Sequence, residues 1–136
     1  MQEEKIVATL VDDEAERMEF LPRLLGMRNL MRGQNKPFEW ADRLSKDYGG
    51  GSWKFFDLSN GGWYTAPAGD KQFNVQQNMN GYEGVMSADA FGITATIFTI
   101  SELMQGGDEK LINAYHKLLD FADQHAESPA IFAAID

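Results

Sequence analysis

The chain has 136 residues, 21 acidic against 12 basic side chains for a formal net charge of −9, and no cysteine. That length suits one domain spanning residues 1–136 with a sizeable core, and the missing thiols exclude a disulfide framework and thiolate chemistry. So acidic a balance repels phosphate backbones, so stable DNA binding is not expected; no stretch approaches the ~20 apolar residues that cross a bilayer, so no membrane partner is expected either.

Residues 1–12 leave strand and helical lead-in both open. The acidic start, Met1-Gln2-Glu3-Glu4-Lys5, has no apolar core of signal-peptide length, and a cytoplasmic location is expected. Asp12-Asp13-Glu14 suits a helix start, and a helix from about Asp13 places Met18, Leu21, Leu24 and Leu25 on one face, with a break expected at Pro22. Pro37 suits the first turn of a second helix carrying Phe38, Ala41, Leu44 and Tyr48, which Gly49-Gly50-Gly51 ends. Strands follow at about 53–58, 63–66, 73–77 and 84–86, and short connections favour an antiparallel meander. Between the first two, Asn60-Gly61 reads as the two-residue type I′ turn of a hairpin. A helix from about Ala88 to Met104 competes with strand because of its β-branched residues; apolar side chains on nearly all sides suit a buried helix. Gly106-Gly107 breaks it and Asp108 caps a last long helix with the face Leu111, Ile112, Tyr115, Leu118, Leu119 and Ala122. Ser128-Pro129 ends that helix, and Ala130–Ile135 is a short apolar tail that docks. The expected fold is α+β: an antiparallel sheet of about three to five strands covered by several helices.

No catalytic constellation stands out. His116 and His125 are nine residues apart on one expected helix, about 180° round its axis, and cannot chelate one ion from it. No metal-ligand spacing occurs, Gly49-Gly50-Gly51-Ser52 lacks a phosphate-loop ending, and Ser59 lacks a nucleophile-elbow frame. The carboxylates Asp57, Asp89 and Asp120 and the base candidate His116 read as cap, hairpin and surface residues; an enzyme built on Asp89, His116 and Asp120 is the alternative. Rings of both strand parities, Trp53, Phe55 and Trp63 against Phe56 and Tyr64, require helices on both faces of the sheet or one face as a recognition surface. Charge is uneven: residues 20–36 carry Arg23, Arg28, Arg32 and Lys36 with no acid, a solvated strip or a contact site for an acidic protein segment or nucleic acid.

Tyr48 to Phe55, with Gly50, Gly51 and Trp53 between, followed by Leu58-Ser59-Asn60-Gly61-Gly62-Trp63-Tyr64-Thr65-Ala66-Pro67, resembles the signature of the ArdB/KlcA family of antirestriction proteins. Phe20-Leu21-Pro22-Arg23, Met86-Ser87-Ala88-Asp89-Ala90-Phe91-Gly92-Ile93, Tyr115-His116, Leu119-Asp120-Phe121-Ala122 and Ile135-Asp136 extend the likeness over roughly residues 17–136 in the family's order. The resemblance implies a bacterial protein of plasmids and other mobile elements that protects incoming DNA from the host's type I restriction–modification enzymes. It further implies, as partner, that complex or an associated host protein, with no cofactor, no metal and no catalysis. The expected interaction surface is Trp53, Asn60, Trp63, Tyr64, Asp89 and His116. Mimicry of DNA by acidic side chains is a second mechanism, diluted here by the 12 basic residues.

Overall fold

The computed structural model describes residues 5–136. Strand β1 (Ala8–Leu10) resolves the open choice at the start of the chain: it pairs antiparallel with β2 (Trp53–Leu58), Thr9 opposite Asp57. Asp13 then caps α1 (Glu14–Gly33), its carboxylate accepting from the Glu16 amide at 3.0 Å. The break expected at Pro22 lies instead at Gly26, whose φ of 74° a side chain would oppose. Pro22 itself is exposed, where a carbonyl that loses its N–H partner is within reach of water. Helix α2 (Lys36–Leu44) carries Pro37 in its first turn and buries Pro37, Ala41 and Leu44.

The hairpin of β2 and β3 (Trp63–Pro67) pairs Phe55 with Thr65 and Phe56 with Tyr64. Its turn is not the expected type I′. No non-glycine residue among those described has positive φ, whereas Gly61 sits at 92°. The Gly61 amide donates to Leu58 O and the Leu58 amide to Gly62 O, each at 2.9 Å. Ser59, Asn60 and Gly61 therefore form a three-residue loop, a type I turn closed by a glycine bulge.

All five residues of β3 are buried because helices cover both of its faces. Trp63 meets Phe20 of α1 edge-on, at 5.7 Å between centroids, and Tyr64 stacks on Phe121 of α4 (Glu109–Gln124) at 5.6 Å. Helix α3 (Ala88–Leu103) closes the outer edge of β3: Thr96 Oγ1 accepts from the Thr65 amide at 3.2 Å and lies 3.1 Å from the Thr65 carbonyl. With that edge taken, the expected single meander divides. Strands β4 (Phe73–Gln77) and β5 (Tyr82–Met86) form a separate antiparallel pair beside the three-stranded sheet, ordered β1-β2-β3.

Helix α3 is buried on nearly every side, which is why its β-branched residues suit it. Ile93, Ile97, Ile100 and Leu103 join Phe20, Leu44, Trp63, Leu118 and Ile131 in the hydrophobic cluster. The hydroxyls of Thr94, Thr96 and Thr99 bond back to the carbonyls of Ala90, Gly92 and Ala95 at 2.8 Å each, so the buried polar groups are satisfied within the helix. The apolar tail is itself a helix, α5 (Ser128–Ile135): Pro129 opens it where a stop was expected, because proline needs no amide partner in a first turn. Asn80 Nδ2 donates to the carbonyls of Ala133 and Ala134 at 3.2 and 3.0 Å and closes its far end.

Candidate functional site

The first turn of α3, strand β3 and the corner between α4 and α5 meet at one hydrogen-bonded cluster. Ser87 caps α3, its hydroxyl accepting from the Ala90 amide at 3.1 Å. This fixes Asp89 in the first turn, where a carboxylate also meets the positive end of the helix dipole. Tyr64 reaches it from β3 and donates its hydroxyl to Asp89 Oδ1 at 2.7 Å. His125, the residue just past the end of α4, holds Asp89 Oδ2 through Nε2 at 2.8 Å. The Glu127 amide donates to His125 Nδ1 at 3.0 Å, so Nδ1 is the acceptor and Nε2 carries the hydrogen given to Asp89. Glu127 turns back to α3: Oε1 accepts from the Ser87 amide at 2.9 Å and Oε2 from the Ser87 hydroxyl.

Electrostatics agree with this wiring. Burial alone would raise the Asp89 carboxyl, yet the hydrogen bonds from His125 and Tyr64, with Lys54 nearby, hold it below the ordinary carboxylate value. Burial, reinforced by the Asp89 charge, pushes the Tyr64 phenol far above its ordinary value, so it remains a neutral donor. A histidine acting as general base needs one ring nitrogen free for its substrate. Here Asp89 takes one nitrogen and a backbone amide the other. The arrangement clamps three elements together and leaves Asp89 with 42% of its side chain exposed.

The residues expected to form an interaction surface separate into two groups. Trp53, Trp63 and Tyr64 are core, at 5%, 2% and 2% exposure, so none offers a ring to a partner. Trp53 Nε1 donates to the Tyr48 hydroxyl at 3.0 Å, and its ring meets Phe38 edge-on. The physical reason is the covering helices: α1 and α4 enclose Trp63 and Tyr64 on β3, and Phe38 of α2 closes over Trp53 on β2. Asn60 is half-buried; its Oδ1 accepts from the Gly62 amide at 2.9 Å and its Nδ2 donates to the Lys117 carbonyl at 3.1 Å, docking the turn on α4. Asp89 and His116 remain at the surface. Among the described residues His116 makes no hydrogen bond or ion pair and touches the Tyr115 ring edge-on at 5.4 Å. Asp120 is likewise exposed, and Asp89 binds His125 rather than His116. Of the cluster's other members, Glu127 escaped the sequence reading, while His125 and Ser87 were noticed without being joined to Asp89. Ser87 carried a capping signal; nothing local joins Asp89 to residues 36 and 38 positions further on.

Among the described residues, no group of three or more His, Cys, Asp or Glu side chains is placed to hold a metal. No helix among them is long and apolar enough to cross a membrane. Grooves open to solvent among the described residues include two of note. The larger, about 450 Å³, runs between the end of α2 and the β4–β5 pair beside Arg43, Lys46, Asp47, Asn74, Glu83 and Val85; the smaller, about 330 Å³, holds Glu16, Glu19 and the Arg23–Asp57 ion pair. Opposed charges line both, and neither adjoins the Asp89 cluster.

Residues 46–136 match the model of a family described as antirestriction protein. Two Escherichia coli proteins named antirestriction protein KlcA are 44% and 41% identical to the chain; the first alignment covers 96% of it and 94% of the relative, the second 99% and 98%. A solved structure from work on the KlcA and ArdB proteins superposes with a TM-score of 0.87 at 40% identity, covering 100% of both chains. That work describes a novel fold and antirestriction activity against type I DNA restriction systems in vivo but not in vitro.

Proposed function

Because the chain belongs to the antirestriction protein family, we propose that it protects unmodified incoming DNA, such as a plasmid, from the type I restriction–modification enzymes of a bacterial host. The observation that carries this reading is the likeness along the chain: 40% identity and one shared fold over 100% of both chains. The acting unit is the whole of residues 1–136, working in the cytoplasm, where restriction occurs.

The mechanism is inhibition by protein contact, without catalysis. Two features support it. The Asp89–His125 pair has both ring nitrogens of the histidine engaged, and among the described residues the exposed His116 and Asp120 have no partner that would orient them for proton transfer. DNA mimicry is the weaker alternative, since 12 basic side chains interrupt the 21 acids and a basic strip occupies residues 23–36. The partner is the restriction complex or a host protein working with it. Activity of KlcA and ArdB in cells but not in vitro favours a component that a purified reaction lacks.

Transformation of a type I-restricting strain with unmodified plasmid tests the reading. Cells expressing this protein should yield more transformants than cells without it, while a premethylated plasmid transforms both equally. Equal yields of unmodified plasmid, with folded protein present, would refute it.

A further inference from the structure

The basic strip of residues 23–36 resolves into paired ends and an unpaired middle. Arg23 bonds Asp57 at 3.3 Å, and Lys36 bonds Glu102 at 2.7 Å and Glu39 at 3.7 Å. Arg28 and Arg32, one turn apart on α1, are exposed and make no ion pair or side-chain hydrogen bond among the described residues. Beside them stand Met27 and Met31, also one turn apart, at 85% and 82% exposure.

The inner face of this segment is fully used. Asn29 Nδ2 bonds the Leu25 carbonyl at 3.3 Å and Asp108 Oδ2 at 3.0 Å, and Gly33 packs so tightly that a Cβ would lie 2.7 Å from Leu103 Cδ1. Met27 and Met31 lie about 200° round the helix from Asn29, on the outermost face, where an amphipathic helix carries polar residues. Nothing in the fold requires two methionines there. Unbranched and polarizable, methionine adapts to a partner's apolar surface, and adjacent free guanidiniums select carboxylates.

We infer that Met27, Arg28, Met31 and Arg32 form a docking surface for an acidic, apolar-faced segment of a protein partner. A phosphate backbone fits less well, because it gives the methionines no apolar surface to cover. An acidic protein helix meets both pairs at once. The patch is a two-by-two array on the helical segment that follows the break at Gly26, so one helical face of the partner, with carboxylates beside leucine-like side chains, spans it. This deepens the inhibitor reading and rests on it, by naming where the partner is held.

Two measurements test it. In the restricting strain, Met27→Glu/Met31→Glu and Arg28→Glu/Arg32→Glu should each lower protection about tenfold or more, as expected for central contact residues. Thermal midpoints should be unchanged, because all four side chains are exposed. Met79→Glu, at 90% exposure on the β4–β5 turn, should protect like the parent. Full protection by both double variants overturns the surface while leaving the antirestriction reading intact; absent protection by the parent sinks the reading instead. The second measurement does not depend on activity. Methionine methyl NMR spectra of the full chain are titrated with a synthetic amphipathic helix of Glu and Leu. The Met27 and Met31 signals should shift, the shifts should weaken with salt, and Met79 should stay still. Unmoved signals at saturating peptide overturn the surface, as does a shift produced by duplex DNA rather than by peptide.

Discussion

Replacing Gly92 by alanine tests the seam on which the site is built. Gly92 lies where α3 crosses β3, and an added Cβ would stand 2.2 Å from Ala66 Cβ, 2.3 Å from Ala66 Cα and 2.6 Å from the Thr65 carbonyl. Two of those three atoms are backbone, so no rotamer change relieves the clash; the helix must lift from the strand. Overpacking costs about 1–3 kcal/mol, and backbone contacts this short put the cost at the upper end. Lifting α3 also stretches the Thr65–Thr96 hydrogen bond, worth about 1 kcal/mol. Alanine returns about 1 kcal/mol of helix propensity. The net is a loss of about 2–3 kcal/mol, or about 8–12 °C in thermal midpoint for a chain of this size. Gly106→Ala is the control: it has open space around it and should change stability by less than ~0.5 kcal/mol. Circular dichroism melts of both variants decide the matter. A Gly92→Ala protein melting within about 2 °C of the parent would mean that α3 does not sit on β3 as described.

The Asp89 cluster and its surroundings give three further outcomes. Asp89 is held below its ordinary value in the fold, so its contribution to stability is complete above the unfolded value near 3.8 and is lost as pH falls through the lower folded value. Asp89→Asn should therefore be less stable than the parent at neutral pH, with a gap that narrows below about pH 4; urea titrations at several pH values read this, and a gap independent of pH would contradict it. Gly61→Val should cost about 1–2 kcal/mol, since φ is 92° there and the new Cβ would meet Lys117 Nζ at 3.0 Å; equal denaturation midpoints would refute the bulge assignment. Trp63→Ala should lower stability by about 3–5 kcal/mol, and protection in cells should fall only as far as the folded fraction does. A stable Trp63→Ala protein without activity would return that ring to the partner surface.

The spacing of Leu111, Ile112, Tyr115, Leu118 and Leu119 marks α4, whereas over residues 88–104 composition leaves helix and strand in competition and the family resemblance tips the reading to the helix α3. The antiparallel hairpins were legible from glycine and aromatic placement. The division into two sheets was not, because it depends on Thr96 reaching the edge of β3 from 31 residues away. The turn at Asn60-Gly61 misled for a local reason: Asn60 spends its side chain on the Gly62 amide and on α4, and Gly61 alone takes the positive φ. Ring exposure was misread because alternation shows which strand face a side chain takes, not whether a helix covers that face. His125 was legible as a residue and not as a partner: its place beside Asp89 is set by the α4–α5 corner, and Pro129 was expected to end the last helix rather than to open α5.

The measurement that bears most directly on the central claim is the plating efficiency of unmodified phage on a type I-restricting strain, read against the intracellular amount of this protein. An inhibitor acting by contact should raise plating in step with its copy number and saturate once it matches its partner. Unchanged plating at every level, with folded protein present, would contradict an antirestriction role; complete protection at amounts far below those of the restriction enzyme would contradict contact inhibition and point to catalysis.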